Sequence, residues 1–522
     1  MKKNIAIVIL INVLVVAVFH LFWEDMGASK AEQKVSKLKE QLKKEKKSVV
    51  DHSKFEVLQQ EFDRPEEVTK ACISCHQERH KEVMESNHWN WEREEYIEGR
   101  GVTYLGKKNL LNNFCIGATG NEQACAKCHV GYNYQKNNKF FAKEENVDCL
   151  ACHNGSDEYV KNGGWGKPHE NVNLTEIAQG VGTPTRANCG TCHFFSGGGN
   201  NVKHGDLEMA QLDGDRELDV HMGLDGGDMS CTECHTTENH QMKGKMYSVS
   251  SENTNRASCE DCHSGPVHNQ AMLNTHTEKI ACQTCHIPEY AKENATKMTW
   301  DWSTAGKLKD GKPYHTEDAD GNHDYLSIKG SFTWEKNVKP EYVFFNGTAD
   351  HYVLGDKVDT LAPIQVNTLH GSYADGKIIP VKVHRAKQPY DPVHQILIQP
   401  YTYNPEKGSG AFWTDFDWVK ASEIGQEKLG LPFSGEVAFA NTEMYWPLNH
   451  MISPKEKSVS CQECHTRSAD GRLASLEGFY MPGRDNDNDL DTMGTWLIIL
   501  SLLGISVHAT VRIMFYFRRQ RG

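Results

Sequence analysis

The chain has 522 residues, 38 % of them hydrophobic, and a formal net charge of −13. That length allows two to four ordinary domains, and the acidic balance excludes nucleic acid as a partner. The 17 cysteines alone suggest an oxidising compartment, and their spacing defines the class of protein more closely.

The chain begins with an apolar segment. Residues 5–23 follow Lys2 and Lys3 and lack a convincing small-residue cleavage site. A run of this length can cross a bilayer. We therefore predict a transmembrane signal anchor over residues 1–25, with a cleaved signal peptide as the alternative.

A charged segment follows the predicted anchor. Residues 29–62 contain neither glycine nor proline, and Val35, Leu38 and Leu42 recur at helical spacing. Residues 30–47 hold eight lysines and three acidic residues. We predict a charged helical stalk over residues 26–70. A short coiled coil, or contact of the lysines with anionic lipid, are the alternatives.

Eight copies of the pentapeptide C-x-x-C-H use 16 of the 17 cysteines. This is the attachment sequence of c-type haem, in which two thiols bond the vinyl groups and the histidine binds the iron. Zinc ribbons and thioredoxin-like motifs contain C-x-x-C but do not require that histidine. The sequence therefore predicts eight covalently bound haem c groups. Numbered in chain order, the motifs are Cys72, Cys75 and His76; Cys125, Cys128 and His129; Cys149, Cys152 and His153; Cys189, Cys192 and His193; Cys231, Cys234 and His235; Cys259, Cys262 and His263; Cys282, Cys285 and His286; and Cys461, Cys464 and His465.

The first seven motifs are closely spaced. They occupy residues 72–286, which leaves only about 31 residues for each haem. This is too little polypeptide for a conventional apolar core, and we therefore expect the porphyrin rings themselves to form the core. We predict a mainly α fold with long loops and little β-sheet, in an octahaem catalytic domain over residues 71–485. Because haem is attached after export, this domain should lie on the periplasmic, outer side of the cytoplasmic (inner) membrane.

Residues 287–460 contain no attachment motif and are rich in tryptophan, tyrosine, proline and glycine. We interpret them as a segment wrapped over the haem array, with a separate domain as the alternative.

The chain ends with a second apolar segment. Residues 494–518 form a predicted transmembrane helix, and Arg518, Arg519 and Arg521 lie at its end. Basic residues outside both apolar runs place both termini in the cytoplasm. His508 lies at membrane depth, where an ionisable side chain is costly. We consider it a candidate ligand of a b-type haem or a quinone contact, with a polar helix contact as the alternative.

Each haem iron also needs a sixth ligand unless it binds substrate. The 26 histidines leave 18 outside the motifs, so most haems can be bis-histidine and dedicated to electron transfer. The candidates within or beside haem-dense segments are His88, His169, His204, His221, His240, His268, His276, His384 and His450.

The segment directly after motif four is distinctive. Residues 194–206 contain three consecutive glycines, followed by Lys203 and His204. Consecutive glycines let the backbone approach a flat ring closely. No strand precedes the segment and no Walker lysine follows, so it is not a nucleotide-binding loop.

Several segments together resemble the octahaem tetrathionate reductase family over roughly residues 70–470. They are residues 112–116, 202–207, 217–223, 300–304, 387–391 and 442–447. The resemblance implies seven bis-histidine haems and one catalytic haem, the second, whose distal ligand is a lysine. Mapped by motif, that lysine is Lys203, opposite His129, with Asn112 and Cys115 lining the cavity. Asn200 stands where the family pattern carries an acid.

The chemistry of these side chains agrees with such a site. An amine must lose its proton to bind iron, and it exchanges its place more readily than imidazole in a bis-histidine pair. Lys203 could therefore leave to admit substrate. Cys115 is the one cysteine outside the motifs, and we weigh a buried small hydrophobe against a reactive thiol.

The leading hypothesis is a membrane-anchored reductase. By resemblance its substrates are small inorganic compounds: tetrathionate, or nitrite and hydroxylamine. Electrons would come from a quinol-oxidising membrane partner or a small cytochrome. The alternative is an electron conduit without a substrate. Hydroxylamine oxidation is a weaker third option, because no sequence feature singles out a tyrosine for the haem cross-link that this chemistry uses.

Overall fold

The computed structural model describes residues 50–520 except 98, 114–116, 135–141, 157, 163 and 246–249. The predicted signal anchor, most of the predicted stalk and Cys115 lie outside the described residues. The chain divides into two compact units, Met1–Ser458 and Val459–Gly522.

Short helices carry the attachment motifs of the first unit. Because a helix brings residues three apart to one side, the two thiols of a motif project together. At motif five, Ser230 and Glu233 form a capping box that starts the turn, and Ser258 and Asp261 do the same at motif six. The helices are α1 (Pro65–Cys75), α2 (Arg79–Met84), α3 (Asn87–Asn90), α4 (Glu122–Cys125), α5 (Leu150–His153), α6 (Leu174–Gln179), α7 (Arg186–His193), α8 (Cys231–Cys234), α9 (Ala271–His276), α10 (Cys282–His286), α11 (Phe412–Asp415) and α12 (Trp418–Leu429).

The residues just before motif one pack into the first unit. Leu58 and Phe62 are buried in one hydrophobic cluster with Leu150, Leu174 and Ile177. This cluster therefore begins before residue 71, the predicted start of the haem domain.

The predicted fold class, mainly α with little sheet, is wrong. The motif-free segment forms a nine-stranded sheet. The strands of the described residues are β1 (Arg93–Ile97), β2 (Gly101–Leu105), β3 (Thr237–Glu238), β4 (Gln241–Met242), β5 (Thr296–Asp301), β6 (His315–Glu317), β7 (His323–Leu326), β8 (Gly330–Glu335), β9 (Glu341–Phe345), β10 (Ala349–His351), β11 (Ile364–Gln365), β12 (Asn367–Leu369), β13 (Lys377–Asp391), β14 (Ile396–Leu397) and β15 (Ala438–Pro447). The order in the nine-stranded sheet is β11-β15-β13-β5-β8-β7-β6, in which β9 and β14 also pair with β13, and β1-β2, β3-β4 and β10-β12 form separate two-stranded sheets.

Strand β13 shows why the sheet escapes prediction. It is paired on both sides, antiparallel to β15 and parallel to β5, and most of its side chains are buried. A strand buried on both faces lacks the alternation that marks a half-exposed strand. Lys382 and His384 are both fully buried within it, and their polarity further obscures the strand in the sequence.

The sheet supports the loop that carries Lys203. Val202 is 1 % exposed and lies in one hydrophobic cluster with Trp300, Trp302 and Trp446. The indole rings of Trp300 and Trp302 are stacked with centroids 4.7 Å apart. The residue next to Lys203 is thus fixed against the face of the sheet.

The second unit contains motif eight and a long apolar helix. Its helices are α13 (Cys461–Cys464) and α14 (Asn488–Gln520). Among the described residues, α14 alone is long and apolar enough to cross a membrane, and its apolar side chains are exposed. It is a candidate membrane anchor. The prediction of two spans is therefore not met within the described residues, and the predicted N-terminal span falls outside them.

Candidate haem sites

Six motif histidines each face one other histidine at nearly the same distance. The ring centroids are separated by 6.5 Å for His76 and His52, 6.4 Å for His153 and His240, 6.3 Å for His193 and His88, 6.4 Å for His235 and His450, 6.1 Å for His263 and His221, and 6.3 Å for His286 and His268.

This common distance fits an iron between the two rings. The interplanar angles range from 5° to 76°. If the two rings were in direct contact, the distance between their centroids would vary with this angle, but it is nearly constant. Metal–imidazole bonds of about 2.0 Å on both sides, together with the rings themselves, separate two centroids by roughly 6 Å. The six pairs therefore suit bis-histidine haems.

The partner histidines include five of the predicted candidates and one unpredicted residue. His88, His221, His240, His268 and His450 all lie within or beside haem-dense segments, as expected. The sixth partner, His52, lies in the polar stretch predicted as a stalk.

The other candidate histidines lie in different surroundings. His169 is exposed. His204 packs edge-on against Trp446 with ring centroids 5.1 Å apart. The Nδ1 of His276 lies 2.8 Å from the Met272 carbonyl oxygen. His384 is buried in β13, where burial holds the pKa of its imidazole well below the usual range.

Hydrogen bonds at Nδ1 fix the orientation of several paired rings. The partner is a backbone carbonyl oxygen for His52, His153 and His235, each at 2.9 Å. It is a carboxylate for two others, with 2.7 Å between His240 and Glu82 and 3.2 Å between His450 and Asp206. A donated Nδ1 proton sets the tautomer in which Nε2 is available to a metal.

Asp206 anchors the segment around His450. It is 2 % exposed, and its Oδ2 also accepts hydrogen bonds from the backbone N–H groups of Asn449 and His450, at 2.7 and 3.0 Å. Burial lowers the pKa of His450, but the hydrogen bond and charge of Asp206 outweigh burial, so the pKa is raised.

Contacts between cysteines show which motifs are neighbours. Sulfur atoms of Cys72 and Cys149, of Cys128 and Cys192, of Cys189 and Cys231, and of Cys259 and Cys282 lie within hydrogen-bonding reach. Cys152 also interacts electrostatically with Cys189, and Cys234 with Cys262. Close sulfur atoms thus join motif one to three, two to four, four to five and six to seven, and charge interactions relate motif three to four and five to six.

Motif two has distinct surroundings. His129 is 1 % exposed and packs against Trp89, Trp91 and Tyr134, with ring centroids 5.3, 4.8 and 4.8 Å away. Its Nε2 lies 2.6 Å from the Trp89 carbonyl oxygen, so iron binding at this motif requires the imidazole to exchange that hydrogen bond. Burial lowers the pKa of His129 to about 3.

A buried ion pair supports the backbone of motif two. Lys161 lies 2.8 Å from Asp148 and donates a hydrogen bond to the carbonyl oxygen of His129. Tyr132 and Tyr159 donate to the same carboxylate, at 2.9 and 2.8 Å. This network was not predicted, because its members follow no recognisable motif.

Lys203 lies close to motif four. Its Nζ is 4.5 Å from the centroid of the Trp446 ring. Its charge also acts on His193, whose pKa is lowered to about 4 by burial first and then by His88 and Lys203. Cys192 of the same motif adjoins Cys128 of motif two.

Asn112 and Asn200, two further predicted site residues, each take part in a hydrogen bond with another segment. Asn112 is buried, and its carbonyl oxygen accepts a hydrogen bond from Gln388 at 3.2 Å. The Oδ1 of Asn200 accepts from the backbone N–H of Met209 at 2.8 Å. Gly205 has a φ of +84°, and a Cβ there would meet the Tyr290 ring at 2.7 Å. The flat ring that this loop approaches at Gly205 is thus Tyr290.

Two buried residues near Lys203 were not predicted. Lys382 donates to the carbonyl oxygens of Val202 and Lys203, at 2.9 and 3.1 Å. His351 is 3 % exposed, with Nδ1 2.7 Å from the Tyr352 carbonyl oxygen, and burial lowers its pKa to about 4. Both lie in or beside sheet strands, so a correct prediction of the sheet is needed to find them.

The attachment motifs and facing imidazoles together define a multihaem cytochrome c with covalently bound haem. A family model described as bacterial cytochrome c matches residues 297–468. An uncharacterised protein of Archaeoglobus fulgidus is 28 % identical over 245 residues, covering 37 % of this chain and 80 % of that protein. The crystal structure of an octahaem cytochrome c from Shewanella oneidensis matches with 43 % identity and a TM-score of 0.74, over 81 % of this chain and 95 % of that one. The chain belongs to the octahaem cytochromes c.

Proposed function

We propose that this cytochrome binds eight haem c groups and reduces a small inorganic substrate at motif two, with Lys203 controlling access. The substrate is tetrathionate, or nitrite and hydroxylamine. The observation that carries the proposal is the contrast between motifs. Six motif histidines face a second imidazole, whereas His129 lies among aromatic rings.

The order of the motifs supports delivery of electrons to motif two. The bound haems supply one-electron transfer and, at one position, an exchangeable coordination site. Paired imidazoles would hold six of the haems, and close sulfur atoms relate motif one to three, four to five and six to seven. Cys192 and Cys128 link motif two to this series.

Lys203 has two uses at such a site. Its Nζ lies over the Trp446 ring, and as an ammonium group it would present a positive charge and a proton to an anion. As a neutral amine it is also able to bind a metal. The carbonyl oxygen of Lys203 is held by Lys382, which limits movement of the backbone while the side chain exchanges.

We place the cytochrome on the outer side of the inner membrane, anchored by α14. Arg518 and Arg519 at the end of this helix favour a cytoplasmic C-terminus. A quinol-oxidising membrane protein or a small cytochrome would supply the electrons.

A second candidate function is electron transfer without a substrate. Asn200 favours it, because its side-chain oxygen accepts a backbone hydrogen bond in place of the acid found in the family pattern. Such a conduit would exchange electrons with quinol analogues and turn over no oxidant.

The test is anaerobic turnover of the haem-loaded full-length protein with a chemically reduced dye. We expect oxidation of the dye with at least one of tetrathionate, nitrite and hydroxylamine. No turnover with any of the three compounds, together with rapid reduction by quinol analogues, would contradict the reductase function and support electron transfer without a substrate.

We also propose that His52 is the distal ligand of motif one. We expect His52→Ala to convert one haem from a low-spin, six-coordinate state to a high-spin state, measured by electron paramagnetic resonance (EPR) and visible absorption. His169→Ala is the matched control, because His169 is exposed and also lies near attachment motifs. An unchanged low-spin population in His52→Ala would contradict the assignment.

A further inference from the structure

A hairpin at the end of the sheet brings two histidines and a glutamate together. His315 and Glu317 lie on β6, the last strand in the sheet order, and His323 lies on β7. In the strand register, Glu317 is directly opposite His323. All three side chains are exposed, and none is part of an attachment motif.

The potential ligand atoms are already close to coordinating geometry. Glu317 Oε1 lies 3.4 Å from His323 Nδ1 and 3.9 Å from His315 Nε2. All three ligand atoms lie within 4.8 Å of one another. Zinc bonds of about 2.0–2.1 Å place tetrahedral ligands roughly 3.4 Å apart. Small rotations of exposed side chains are therefore enough to close the site.

The backbone of the hairpin is held independently of these side chains. Asp318 Oδ1 accepts hydrogen bonds from the backbone N–H groups of Asp320 and Asn322, at 3.0 and 2.9 Å, which fixes the turn. Trp334 on β8 donates through its indole N–H to the carbonyl oxygen of His323 at 2.7 Å. The three ligands thus project from a backbone that is already ordered.

The chemistry of the ligand set favours a first-row transition metal. Imidazole nitrogen suits Zn²⁺ and Cu²⁺, whereas Ca²⁺ and Mg²⁺ prefer oxygen ligands. Asp318, Asp320 and Asp324 add negative charge close to the site, which attracts cations.

We propose that His315, Glu317 and His323 form a surface site for a divalent transition metal, represented by Zn²⁺, and that the metal joins β6 to β7 at the exposed edge of the sheet. A fourth position remains open to water or to a ligand from solvent. This site is separate from the attachment motifs and does not depend on the proposed reductase function.

The test is equilibrium dialysis of the haem-loaded full-length protein against Zn²⁺, with bound zinc and haem iron both measured by elemental analysis. We expect the wild type to bind one zinc ion per chain at this site, and the double variant His315→Ala/His323→Ala to lose it. Glu317→Gln should raise the dissociation constant about tenfold or more. Ca²⁺ in excess should not displace the metal.

His370→Ala is the matched control, because His370 is another exposed histidine in the sheet-forming segment and lies outside the cluster. It should bind zinc as the wild type does. Equal zinc binding by wild type and the double variant would overturn the proposal, and so would displacement by Ca²⁺. An unchanged haem iron content and visible spectrum confirm that the variants are folded.

Discussion

Lys203→Ala is expected to lower reductase turnover by about a hundredfold or more, because it removes both a positioned proton donor and the positive charge that meets an anionic substrate. Haem content should not change, since Lys203 lies outside the attachment motifs. The measurement is anaerobic dye oxidation, combined with EPR of the oxidised protein. One minority haem signal should be altered in the variant.

A second substitution of Lys203 separates its two proposed roles, and a variant of another lysine serves as the control. Lys203→Arg keeps the positive charge but cannot be deprotonated in a protein, so it should attract an anion without restoring the spectrum of the exchangeable haem. Lys307→Ala is the matched control, because its Nζ also lies near an aromatic ring, 5.8 Å from the Tyr325 centroid, and its side chain is exposed. If Lys203→Ala keeps wild-type turnover and an unchanged EPR spectrum, Lys203 has no catalytic role.

Asp206→Asn should raise the reduction potential of one haem. A carboxylate that accepts the Nδ1 proton of a ligand histidine makes that ligand more electron-donating, and its negative charge favours the oxidised iron. Loss of a charged partner worth about 1.5 kcal/mol corresponds to a shift of roughly 60 mV for one electron. Redox titration monitored by visible absorption and EPR measures the shift.

Asparagine has nearly the same shape as aspartate but no charge, so this variant tests the effect of the charge. Its side-chain oxygen still accepts the backbone hydrogen bonds of Asn449 and His450, so the local fold should persist. Glu423→Gln serves as the control, because Glu423 is exposed and pairs with Lys420 on α12. Midpoint potentials that match the wild type in Asp206→Asn would show that Asp206 only holds the backbone.

The sequence predicted the short-range features of this protein well. The two thiols and the histidine of each motif lie within five consecutive residues, so their chemistry does not depend on the rest of the fold. Partners of the motif histidines come from other segments. His88 and His450 were candidates because they lie in or near haem-dense stretches, whereas His52 lies 24 residues before His76 in a polar stretch with no distinguishing pattern.

The sheet could not be predicted for a different reason. Strand prediction depends on alternation between a buried and an exposed face, and β13 is buried on both. Lys382 and His384 are held inside it by contacts with distant segments, such as the hydrogen bond from Lys382 to Thr296 at 2.6 Å. Long-range pairing of this kind is absent from any local sequence window. The same sheet brings Trp446 to Lys203, whereas His351 lies on β10 of a separate two-stranded sheet.

The sulfur contacts and the charge interactions between thiols define a branched order of the motifs. Motif two joins at motif four, in the interior of the series, and not at either end. In the proposed reductase, electrons that enter at motif one or at motif seven would share the same last transfer, from motif four to motif two. An electron donor would then be able to dock at either end without any change at the proposed reaction site, and electrons held on the other arm would be available for a multi-electron reaction.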